Sequence, residues 1–245
     1  PTWNPDRLAQ KIPFNLALVG GRRMGKSSAV SDLLMRMRSR FDLIIAFIGS
    51  ANCNPVLQEQ MIQFWDDRFF FSKWEDRLIE TLLVQQEELK RQGKSRSILI
   101  LMDDVVLTSE GDEQLAHMAM RGRHFQISLA MCSVSYTSLP KRARRSLDCL
   151  LVFSLPMQSD MKVLTWEYTQ KAKMARFILA RLGDYECLVL ETLQKKQELF
   201  VWTANYVTVH DLRKTQKSLE SPEHVLSKNE PSDDSASEHP PSDVR

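Results

Sequence analysis

Cysteine is scarce. The 245-residue chain has four, Cys53, Cys132, Cys149 and Cys187, set far apart and with no CxxC pair. That spacing argues against a zinc site and against a disulfide framework, and the thiols read as buried groups of a reducing compartment. Glycine is rare too, at eight residues, which excludes a collagen. No run of about 18 apolar residues occurs, so no membrane-spanning helix is expected. The opening segment PTWNPDRLAQ lacks an apolar stretch, which predicts no secretion signal. The composition that is present, 43% apolar and 26% charged, suits an ordinary globular domain and excludes a coiled-coil rod or a wholly disordered chain.

The net charge of +2 hides a division. Residues 217–245 hold three basic and seven acidic side chains, which leaves 30 basic and 24 acidic in residues 1–216. The body of the chain is therefore basic, a charge that suits a polyanionic partner. The end is rich in Ser, Pro and acids and cannot bury enough apolar surface to offset its ordering entropy. A disordered acidic tail is expected over 214–245.

Upstream of that tail, short apolar runs alternate with helical periodicity. Strands are expected at 15–20, 42–49, 69–71, 97–104, 126–135 and 148–155, and helices at 26–38, 74–93, 110–121, 138–147 and 158–182. Segments 186–192 and 198–204 read as a closing hairpin. Strands that are apolar on both faces and separated by helices predict an α/β fold with a mainly parallel sheet covered on both sides.

The segment GGRRMGKS matches G-x-x-x-x-G-K-[ST] at Gly20, Gly25, Lys26 and Ser27, between an expected strand and an expected helix. Such a loop curls backbone N–H groups around the phosphates of a nucleotide. The binding stretch is Gly20, Gly21, Arg22, Arg23, Met24, Gly25, Lys26, Ser27 and Ser28. Lys26 is expected to reach the β- and γ-phosphates of ATP, and Ser27 to offer its hydroxyl to Mg²⁺.

A second element, the apolar run 98–102 ending in Asp103 and Asp104, has the form of a Walker B strand. Asp103 would hold the magnesium, a hard, oxygen-seeking cation, and Asp104 would polarise the attacking water. An Asp here in place of the commoner Glu has shorter reach and points to slower hydrolysis. A further strand, 42–49, lies between the two motifs in the chain. That suits the ASCE branch of P-loop NTPases, in which a strand separates the two nucleotide strands.

The block MRGRHFQISLAMCSVSYTSLPKRARRSLDCLLV (120–152) resembles the region after Walker B in poxvirus-type genome-packaging ATPases of the HerA/FtsK superfamily. Arg121 to His124, Ile127, Ser128, Ser135, Tyr136, Leu139 to Lys141 and Arg144 match that pattern. Both Walker segments and the closing hairpin are similar to the same family, and the resemblance covers roughly residues 12–206. Two positions depart from it. Arg23 stands where the family commonly has an extra glycine, and Val134 where it has a Gln that senses the γ-phosphate. A valine donates no hydrogen bond, so sensing would fall to Ser133 or Ser135, or be weak.

The resemblance implies a RecA/FtsK-like P-loop ATPase domain, placed at 1–213, that assembles into a ring, expected as a hexamer. It implies ATP bound between subunits and an arginine from the neighbour at the γ-phosphate, with Arg144 the first choice and Arg121 and Arg123 behind it. It also implies double-stranded DNA in the channel, a capsid vertex as docking partner, and work inside the infected cell with virion association. The cluster KRARR (141–145) reads equally as a solvated helix face or a nuclear-import patch. His124 is expected beside the nucleotide strands as a structural residue, and the five tryptophans as core or subunit packing. Two other readings stay open: a non-viral HerA/FtsK-like DNA translocase, and a weakly hydrolysing ATP-binding scaffold.

Overall fold

The computed structural model describes residues 1–49, 55–192 and 198–205. Cys53 and the expected tail lie outside them. Among the described residues eight strands form one sheet: β1 (Asn15–Val19), β2 (Leu43–Ile48), β3 (Phe70–Phe71), β4 (Ile98–Asp103), β5 (Ile127–Ser133), β6 (Cys149–Val152), β7 (Glu186–Glu191) and β8 (Leu199–Thr203). Their order is β3-β2-β4-β5-β1-β6-β7-β8. The strands from β3 to β6 are parallel, and β7 and β8 are antiparallel additions at one edge.

That order alters one expectation. The strand separating β1 from β4 is β5, which follows the Walker B acids in the chain, while segment 42–49 lies on the outer side of β4. The ASCE arrangement is present, but a different strand makes it. A parallel neighbour needs a crossover, so adjacency in the sheet does not follow order in the chain.

Helices cover both faces. On one lie α1 (Asp6–Ala9), α2 (Lys26–Arg36) and α3 (Pro55–Phe64). The other carries α4 (Asp76–Arg91), α5 (Ser109–Arg121), α6 (Lys141–Arg145), α7 (Gln158–Tyr168) and α8 (Ala172–Leu179). Alternate strand residues feed two cores. Leu16, Leu18, Leu99 and Leu101 pack under α2 with Val30, Leu33 and Leu34. Ala17, Val19, Ile98 and Ile100 meet Leu82, Leu115 and Leu164 on the opposite face. Burying both faces explains the unbroken apolar runs of the strands.

The long helix expected over 158–182 is two, because backbone 169–171 leaves the helix between α7 and α8. α3 is a helix that the expected elements do not include. Cys132, Cys149 and Cys187 are buried and free. Among the described residues no helix is long and apolar enough to cross a membrane.

Candidate functional site

The C-terminal ends of β1, β4 and β5 meet at one edge of the sheet, and register decides what stands there. β5 pairs Ser133 with Val19 on one side and Cys132 with Asp103 on the other. The strand thereby sets the start of the phosphate loop and the Walker B acid on either side of itself. Gly20 N–H donates to the Ser133 carbonyl at 3.1 Å, and Gly21 N–H to the Ser154 carbonyl at 2.9 Å, fastening the loop to β5 and to the segment after β6.

Gly25 and Gly49 are both required by geometry. Gly25, the N-cap of α2, has φ 98°, a left-handed conformation that costs a side-chain-bearing residue but not glycine. Gly49, after β2, lies so close to the Asp104 carbonyl that a Cβ there would collide with it. That contact supports the turn in which Asp104 takes φ 55°. Arg23 also sits at φ 63°. Arginine is an unusual tenant of that region, and the glycine common in the resembled family would occupy it without strain.

Lys26, the first residue of α2, donates to the Gly20 and Gly21 carbonyls, both at 2.8 Å. Burial pushes its ammonium below the ordinary lysine value, while Cys132, Asp103 and Asp104 pull it back up. Ser27 Oγ lies 3.4 Å from Asp103 Oδ2. Asp103 is only 8% exposed. Burial raises its carboxyl above the ordinary range, and Lys26 opposes that rise. Asp104 is exposed at the mouth. The loop lysine, the loop serine and both acids therefore share one edge of the sheet, and this oxygen-donor set suits a hard divalent cation. An anion would meet Lys26 and the N-terminus of α2.

Cys132 stands at the site although no sequence motif marks it. It lies on the floor of the site beside Asp103, and burial pushes its thiol well above the ordinary value. Its pairing with Asp103 depends on sheet register, which no local pattern carries.

Val134 is 38% exposed at the tip after β5. Of its two neighbours, Ser133 is the one bound to the phosphate loop. Its hydroxyl meets Ser138 Oγ at 2.6 Å and donates to the Ser135 carbonyl at 2.8 Å. Ser135 Oγ contacts Thr137 Oγ1 at 3.1 Å, further out.

Arg144 is not presented to a neighbour in this conformation. It is 9% exposed. Its guanidinium lies 4.8 Å from the Tyr136 ring centroid and 3.8 Å from Glu167 Oε2. Tyr136 O–H donates to the same carboxylate, and Tyr168 O–H donates to the Arg144 carbonyl. Arg121, Arg123, Arg142 and Arg145 are exposed. His124 does not stand beside the nucleotide strands' functional ends. It is exposed in the 3-10 turn Gly122–Phe125 that leads into β5, at the opposite edge of the sheet. Trp3, Trp74 and Trp202 are buried as expected, whereas Trp166 is 84% exposed and packs in no core.

Known proteins share this architecture. The chain spans 81% of its length against the genome packaging NTPase B204 of Sulfolobus turreted icosahedral virus 2 in complex with ATP-gammaS, covering 98% of that chain at 14% identity and TM-score 0.51. EssC (ATPases 2 and 3) from Geobacillus thermodenitrificans matches 89% of this chain and 45% of its own at 15% identity, TM-score 0.57. The cytoplasmic domain of the type VII secretion ATPase EccC of Thermomonospora curvata matches 79% of this chain and 25% of its own, at 12% identity and TM-score 0.58. At such identities the likeness is one of fold. No curated protein matches the sequence. The profile of the "Poxvirus A32 protein" family matches residues 3–183. With most of the sheet and the whole phosphate loop inside that match, the chain belongs to the poxvirus A32 protein family, the genome-packaging ATPases that its sequence resembles.

Proposed function

We propose that this chain is the ATP-driven motor that moves double-stranded viral DNA into a preformed capsid. The observation that carries the reading is the meeting of Lys26 and Ser27 with Asp103 and Asp104 at one sheet edge, with β5 between their strands. Family membership supports the packaging role, and the ATP-gammaS complex of B204 supports nucleotide binding.

The residues fit the ligands. Lys26 and the amides at the start of α2 bind the triphosphate, and Ser27 Oγ and Asp103 would hold magnesium. When bound there, that ion neutralises charge on the β- and γ-phosphate oxygens. Asp104 orients and polarises the water that attacks the γ-phosphorus. The bond to the β–γ bridging oxygen breaks, giving ADP and inorganic phosphate. A low-dielectric floor made by Cys132 and the strand ends strengthens the charge contacts of Lys26 and the buried Asp103.

The active form is a ring, a hexamer in this reading, with ATP between subunits and an arginine supplied by the neighbour. Arg144 can serve only by leaving Tyr136 and Glu167, whereas Arg121 and Arg123 are already exposed. The motor domain is 1–213 and the acidic segment 214–245 its tail. The ring docks at the capsid vertex in the infected cell, and exposed cations of α6 face DNA phosphates. The test is steady-state ATP hydrolysis with and without duplex DNA. Stimulation by DNA that disappears in Lys26→Ala is expected, and hydrolysis indifferent to both would overturn the reading.

A further inference from the structure

We propose that Tyr185 forms the nucleobase wall of the site, stacking its ring on the base of ATP held by the phosphate loop. This rests on the ATP reading above and names how the rest of the nucleotide is held.

Topology places Tyr185 there. β7 runs antiparallel to β6, with Val152 opposite Leu188, so the residue preceding β7 returns to the sheet edge that carries the loop. A Cβ built on Gly25 would stand 3.0 Å from Tyr185 Cδ1 and 3.1 Å from its Cα, so the tyrosine lies directly on the last glycine of the loop. The two flanks of β1 have different chemistry. On one side, β5 and β4 bring Cys132, Asp103 and Asp104, where the γ-phosphate and the water belong. On the other side, beyond β6, stands Tyr185. A triphosphate with its γ-end toward the acids therefore points its base toward the tyrosine.

The backbone supports this role. Tyr185 has φ 62°, a conformation rare for an aromatic residue and held here by its surroundings. Ala204 N–H donates to the Tyr185 carbonyl at 3.2 Å, and Gly183 N–H donates to Glu186 Oε2 at 2.8 Å, tying the turn on both sides. The residue is 42% exposed at the loop rather than sunk in either core. Core packing does not account for an aromatic residue held in strain at the edge of a phosphate site. Stacking tolerates any base but favours the larger purine face, so Tyr185 adds affinity without distinguishing adenine from guanine.

Asparagine adopts the left-handed conformation readily, so Tyr185→Asn removes the ring while keeping the turn. Calorimetric titration of the full chain with magnesium present uses ATPγS, the γ-thio analogues of GTP and CTP, and inorganic tripolyphosphate. In Tyr185→Asn, ATPγS affinity is expected to fall roughly tenfold and the purine-over-pyrimidine preference to vanish, with tripolyphosphate unchanged. Tyr185→Phe should retain both affinity and preference. Equal loss for ATPγS and tripolyphosphate, or no loss at all, would overturn the proposal. Lys26→Ala keeps the two readings apart: it should weaken every probe, and if it weakens none, the phosphate-loop reading itself fails.

Discussion

Ser27 Oγ and Asp103 Oδ2 face each other across 3.4 Å, although the residues come from a helix and a strand 76 positions apart in the chain. Neither β1, which leads to Ser27, nor β4, which ends in Asp103, touches the other. β5 lies between them and fixes their offset through its register with both. The pair is therefore a property of the whole sheet. An ion bridging it would feel any shift of β5, the strand whose tip carries Val134.

Asp103→Asn keeps the shape of the buried side chain but removes its negative charge. ATP turnover should fall at least about a hundredfold, the scale of losing one preorganised charge contact at a phosphoryl-transfer site. Circular dichroism melts should show the fold intact. Turnover near the wild-type rate would remove Asp103 from the site.

Arg23→Gly should stabilise the protein. The left-handed backbone costs a non-glycine residue about 1–2 kcal/mol, and glycine returns part of that gain to the unfolded chain. A net gain of about 0.5–1 kcal/mol corresponds to a melting temperature higher by about 1–4 °C. Scanning calorimetry without nucleotide checks it, and a lower melting temperature would mean that the arginine side chain holds the loop.

Arg144→Ala tests whether this residue acts within its own subunit or on the next. Removing it leaves Glu167 without its cation and Tyr136 without its stacking partner, a cost of about 1–3 kcal/mol for this partly buried group. Lower stability together with lower turnover is expected. Unchanged stability with lost ring turnover would instead assign Arg144 to the neighbour's nucleotide.

Asp160 gives the fold a pH signature. It is buried on α7 and accepts from Thr137 Oγ1 at 2.7 Å. Burial works against its charge, but donors on Thr137 and Ser135 prevail and hold its carboxyl below the ordinary range. The folded state thus favours the ionised form more than the unfolded chain does. That stabilisation is complete above the ordinary carboxylate value and is lost as pH falls through the lowered one. Asp160→Asn should cost about 1–2 kcal/mol at neutral pH. The gap in melting temperature between wild type and variant should close as pH drops below about 4. A gap that widens in acid would reverse the assigned direction.

Arg142 and Arg145 are exposed on α6 and are the cations the motor reading turns toward DNA. Each substitution to alanine should lower duplex affinity alike for every sequence and reduce the slope of log affinity against log salt by about 1. Fluorescence anisotropy at several salt concentrations measures it. An unchanged slope would return these residues to the solvated surface.

The sequence made the chemistry of the site legible and its scaffolding less so. Gly20, Lys26, Ser27 and the acid pair lie in local motifs whose spacing follows from backbone geometry, and the sheet edge brings them together. The positions that escaped depend on long-range arrangement. β5 separates the nucleotide strands because of crossover order, Cys132 reaches the site floor through register, and Tyr185 reaches Gly25 because β7 turns back. The family resemblance assigns Arg144 to a neighbouring nucleotide, yet its side chain is buried against Tyr136 and Glu167. Trp166 shows the converse, a large apolar residue that no core claims.

The most direct measurement is the magnesium dependence of ATPγS affinity in wild type, Ser27→Ala and Asp103→Asn. Wild type should bind more tightly with magnesium than without it. Both variants should lose that increment while keeping the magnesium-free affinity that Lys26 and the loop supply. If either variant retained the full magnesium increment, the facing oxygens of Ser27 and Asp103 would not be the cation's seat, and the account would be contradicted.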